Sequence, residues 1–80
     1  MTQYTIGIDV SKDTLDVHRQ SDGEERRFAN SKAGFKSLMR WIGKVPARIV
    51  FEPTGPYHRA LEGALAKAGH AVVKVNPRQA

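Results

Sequence analysis

The chain contains no cysteine. That excludes disulfide cross-links and thiolate metal sites, and it fits a reducing compartment, the cytoplasm. It has no apolar run approaching the ~20 residues a membrane-spanning helix needs. Strand-like sequence begins within three residues of the N-terminus, which leaves no room for a signal peptide. Internal repeats, linkers and low-complexity stretches are lacking, and the basic residues form no block. His18, His58 and His70 have no metal-ligand spacing and read as structural.

What is present is an ordinary globular composition, 40% hydrophobic and 26% charged. Eighty residues make at most one small domain, and a chain of this size buries only about 60% of its unfolded surface. Thirteen Lys and Arg against eight Asp and Glu give a net charge of +5. A positive balance of that size favours polyanions by long-range attraction.

Hydrophobic periodicity divides the chain into seven elements. Residues 4–10 alternate, with Tyr4, Ile6, Ile8 and Val10 on one side and Thr5, Gly7 and Asp9 on the other. Residues 13–19 read as a second strand, Ser21-Asp22-Gly23-Glu24 as a hairpin turn and residues 25–29 as a polar edge strand. Asn30 or Ser31 caps a helix whose Phe35, Leu38, Met39 and Ile42 recur at helical spacing, and Gly43 stops it. Residues 47–52 form a fourth strand. Pro56 suits the first turn of a second helix, which buries Ala60, Leu61, Ala64, Leu65 and Ala68 before Gly69. Residues 70–75 form a fifth strand. The order β-β-β-α-β-α-β predicts an α/β fold with a mixed sheet of spatial order 3-2-1-4-5.

Two of these strands run straight into an acid, the first into Asp9 and the fourth into Glu52. In open α/β sheets ligands bind at the carboxyl ends of the strands, where the strand order reverses. Neighbouring strands sit ~4.8 Å apart, so both carboxylates can reach one divalent ion, which prefers oxygen ligands. Right-handed crossovers put both helices on one face, over Ile6, Ile8, Ile49 and Phe51. Asp9 and Glu52 then fall on the opposite face with Thr5, Gly7, Val50 and Val72. Gly7 leaves space below Asp9. An isolated chain bares that face and its sheet edges, so a homo-oligomer is expected.

Three segments also carry a family resemblance. They are Gly7-Ile8-Asp9-Val10-Ser11-Lys12 with Leu15-Asp16-Val17, Phe51-Glu52-Pro53-Thr54-Gly55-Pro56-Tyr57, and Val75-Asn76-Pro77. In that order they resemble the transposases of the "IS one-ten" insertion sequences and the related pilin-gene invertases. The N-terminal domain of that family is similar to the RuvC Holliday-junction resolvase. The resemblance spans essentially all of the chain and implies a ribonuclease H-like fold. It also implies a D-E-D-D tetrad in which Asp9 is the first acid and Glu52 the second. The other two acids, and a C-terminal domain with a nucleophilic serine, are then expected beyond residue 80. Ser11 does not match that serine. Residues 1–80 are accordingly expected to be the N-terminal part of a RuvC-like catalytic domain, truncated and inactive alone. The implied activity of the full-length protein is DNA transposition or site-specific recombination by metal-dependent strand cleavage. The implied cofactor is Mg²⁺ or Mn²⁺ and the implied partner is DNA, joined in several family members by a guide-like RNA.

Two alternatives compete. An actin-type or sugar-kinase-type ATP-binding domain also opens with Gly-Ile-Asp, but usually follows it with Gly-Thr, where this chain has Ser11-Lys12. A non-catalytic nucleic-acid-binding module would need neither acid. Lys12 can touch a phosphate, and Thr54 and Gly55 are placed to meet an anion at a helix N-terminus. Trp41 and Tyr57 read as helix packing rather than as base-stacking residues.

Overall fold

A computed structural model describes residues 4–43, 47–52 and 55–75. The chain enters as β1 (Tyr4–Val10), β2 (Thr14–Arg19) and β3 (Glu25–Ala29), a meander of three antiparallel strands. It continues through α1 (Lys32–Ile42), β4 (Ala47–Phe51), α2 (Arg59–Lys67) and β5 (Ala71–Lys74). The sheet order is β3-β2-β1-β4-β5, with β4 parallel to both β1 and β5. Strand order therefore reverses between β1 and β4, as the crossover pattern predicts.

Both helices lie on one side, and the period-two pattern sends the apolar positions there. Ile6, Ile8, Leu15, Val17, Ile49 and Phe51 are buried against Phe35, Leu38, Leu61 and Leu65. Each such side chain contributes about 1.5–3 kcal/mol on burial. Ser31 caps α1, its hydroxyl accepting from the Gly34 N–H at 3.3 Å. Gly43 ends it at φ 90°, donating its N–H to the Met39 carbonyl. Trp41 packs on the core beside Phe28, with the Arg19 guanidinium 4.3 Å from its ring centroid.

Three expectations are corrected. Pro56 lies in the turn ahead of α2 and not in its first turn, because Gly55 takes φ 60° and the helix begins only at Arg59. Of the residues expected on the buried face of α2, Leu61 and Leu65 are buried and Ala64 half-buried, but Ala60 and the C-cap Ala68 are exposed. Val72 is on the helix side of the sheet. Its register partner is Ile49, so Val73, opposite Val50, takes the open face instead.

Candidate active site

The site grows from the ladder itself. On the open face, Gly7 is the register partner of both Val50 and His18, and His18 pairs with Glu25. One step nearer the strand ends, Asp9 pairs with Asp16 and Asp16 with Arg27. The β1–β4 ladder closes at Ile8 and Phe51, and Asp9 and Glu52 are the next residue on each strand. Both are exposed. The rim therefore carries Glu52, Asp9, Asp16 and Arg27 in sequence across four strands, all lining one open trough of about 880 Å³. A Cβ built on Gly7 meets nothing within 4 Å, so the trough floor is clear directly below Asp9.

Arg27 closes one end. Its Nε donates to Asp16 Oδ1 at 2.7 Å, and this hydrogen bond, reinforced by the opposite charge, raises the guanidinium pKa above its ordinary value. Asp16 is thus partly neutralised, which eases its like-charge opposition to Asp9. The sequence held a signal for this pair. The Ser21–Glu24 turn fixes the hairpin register, and that register sets Asp16 opposite Arg27.

The loops that follow the two acids also meet. Asn30 Nδ2 donates to the Ser11 carbonyl at 2.8 Å and to the Tyr57 carbonyl at 3.0 Å. Lys12 and Gly55 are both exposed in these adjoining loops. Gly55 lies four residues ahead of α2. Thr54, Pro53 and the Asn76-Pro77 motif lie outside the described residues. Tyr57, expected to pack, is 43% exposed. The histidines separate by environment. His70 Nδ1 accepts the buried Ala47 N–H at 3.0 Å. His58 tilts against Phe51, and His18 is exposed in the trough.

By donor type Asp9 and Glu52 fit a hard divalent cation, which takes carboxylate oxygens. As a pair they would supply two oxygen ligands and not a full set. Among the described residues no group of three or more His, Cys, Asp or Glu side chains could hold a metal ion. Among the same residues, no helix is long and apolar enough to cross a membrane.

Fold and rim together define a class: a ribonuclease H-like α/β domain with its acids gathered where the sheet order reverses. Residues 6–80 match the family model of the IS110 ("IS one-ten") DEDD transposases, described as "Transposase". The chain belongs to that transposase family. No curated protein matches the chain closely. Family membership favours the recombinase reading over an ATP-binding domain or a non-catalytic module.

Proposed function

We propose that this domain cleaves and transfers DNA strands during transposition, with Asp9 and Glu52 as two of the carboxylates that hold Mg²⁺ or Mn²⁺. One observation carries the reading: the two acids follow the last paired residues of adjacent parallel strands and line the same open trough. Two bound metal ions supply a nucleophile at neutral pH and stabilise the leaving oxygen of a phosphodiester. The chain's own residues do the rest. Asp9 and Glu52 present hard oxygen donors from a rigid sheet. Gly7 leaves room beneath them for a sugar–phosphate backbone. Arg27, oriented by Asp16, is a bidentate-capable cation at the far end of the row and suits a phosphate there. Lys12 adds positive charge beside the same rim.

In this reading residues 1–80 are the N-terminal part of a RuvC-like domain, and the remaining acids stand on a later segment. The chain alone is then inactive. A guide-like RNA and a second copy of the protein are its further partners. The test uses the intact polypeptide on DNA carrying its recombination site. Chelation of divalent metal is expected to stop cleavage, and Mg²⁺ or Mn²⁺ to restore it. Cleavage that persists in chelator would overturn the reading.

A further inference from the structure

The β1–β4 ladder fixes the spacing of the two strands only as far as Ile8 and Phe51. Beyond it, β1 continues through Asp9 and Val10, still paired with β2, while Glu52 leaves β4 at once, so that ladder does not tie the loops after the two strands to each other. Between them stands Asn30, which follows β3 directly and precedes the cap of α1. Its side-chain amide bridges the Ser11 and Tyr57 carbonyls, 19 and 27 residues away in sequence. Its backbone N–H donates to the Asp13 carbonyl at 2.9 Å, which holds the β1–β2 turn a second time.

The chemistry of the position selects asparagine. Both acceptors are carbonyl oxygens with no proton to give, so the NH₂ end must face them, and the alternative amide orientation is excluded. Aspartate has no donors and would set a carboxylate against two carbonyls. Serine has one proton for two acceptors. The platform beneath Asn30 is equally constrained. A Cβ on Gly34 would collide with the Ala29 carbonyl oxygen, so only glycine lets the first turn of α1 seat against the residue preceding Asn30.

We propose that Asn30 is a positioning residue: its amide clamps the loops after β1 and β4 and thereby sets the separation of Asp9 and Glu52. This rests on the assignment of those two acids as metal ligands. It adds a residue that touches neither metal nor DNA and acts through two backbone carbonyls. Partners that orient metal ligands typically cost about 10–100-fold in metal affinity when removed.

The experiment compares the intact wild-type protein with Asn30→Ala and Asn30→Asp, using Asp9→Asn as reference. Two quantities are read: the Mn²⁺ dissociation constant, from the paramagnetic resonance of free Mn²⁺, and metal-free hydrogen exchange over residues 10–14 and 55–58. Both Asn30 variants are expected to exchange faster in both segments together. Both are also expected to bind Mn²⁺ about tenfold more weakly. A general loss of stability would raise exchange throughout the sheet and would not single out two loops distant in sequence. Changes confined to the neighbours of residue 30, or loosened loops with unchanged Mn²⁺ affinity, would overturn the proposal. Equal Mn²⁺ binding by wild type and Asp9→Asn would instead remove the metal assignment. The exchange measurement would then still decide whether the clamp exists.

Discussion

At the scale of single residues, His70 shows how one side chain ties chemistry to stability. Its Nδ1 accepts a hydrogen bond from the Ala47 N–H at the start of β4, and both residues are buried. The ring is therefore neutral, with its one proton on Nε2. Burial lowers the pKa of His70 below its ordinary value of 6.5. The unfolded chain consequently binds the proton more readily than the folded one. The stabilisation is complete above about pH 6.5 and is lost as pH falls toward the lowered folded value. Thermal melts between pH 8 and pH 5 are expected to show a falling midpoint below pH 6.5. His70→Ala is expected to flatten that slope and to cost about 1–3 kcal/mol at pH 8, because it strands a buried N–H. A wild-type midpoint that rises on acidification would contradict the assignment. The acids of the rim were legible in the sequence for a related reason. Asp9 and Glu52 each follow a short apolar strand, and alternation alone puts them on the polar face. Asn30 was not legible, because its partners lie on loops that only the folded sheet brings together.

At the scale of elements, legibility follows how much each residue type discriminates between faces. In β1 and β4 large aliphatics alternate with small or polar residues, so face and register follow at once. β5 reads Ala71-Val72-Val73-Lys74, apolar at both parities, and only its pairing with β4 decides that Val72 faces the helices. Alanine carries as little weight, which is why spacing alone does not separate the exposed Ala60 and Ala68 from the buried Leu61 and Leu65. The start of α2 lies later than the proline suggests, because a proline at a first helical position and a proline in a preceding turn look alike in sequence. The junction of β3 with α1 is a close contact between elements. Its close approach depends on Gly34, whose added Cβ would meet the Ala29 backbone and not a yielding side chain. Gly34→Ala is expected to lower stability by about 1–3 kcal/mol through overpacking, even though alanine favours helix. Denaturant unfolding checks this. A variant as stable as wild type would mean that α1 can shift away from β3 at no cost.

At the scale of the molecule, one layer of sheet carries one layer of helix, and the described face opposite the helices stays open. The least extent of the chain is 22 Å, against 33 and 31 Å in the other directions, as a two-layer slab requires. Its core lies entirely between sheet and helices, and its rim of charge lies on the far side. That separation lets the acids be exchanged without disturbing the packing, since Asp9 and Glu52 are exposed. The role proposed for these two carboxylates is to ligate metal for strand cleavage. The most direct measurement is DNA cleavage by the intact protein in Mg²⁺ with Asp9→Asn and Glu52→Gln, each a change that keeps shape and removes charge. DNA affinity and melting temperature are recorded on the same samples. Cleavage is expected to fall by about 10²–10³-fold for either variant, the scale on which a positioned electrostatic group at a reacting centre acts. DNA affinity and folding are expected to stay near wild type. Cleavage at or near the wild-type rate by either variant would contradict the account.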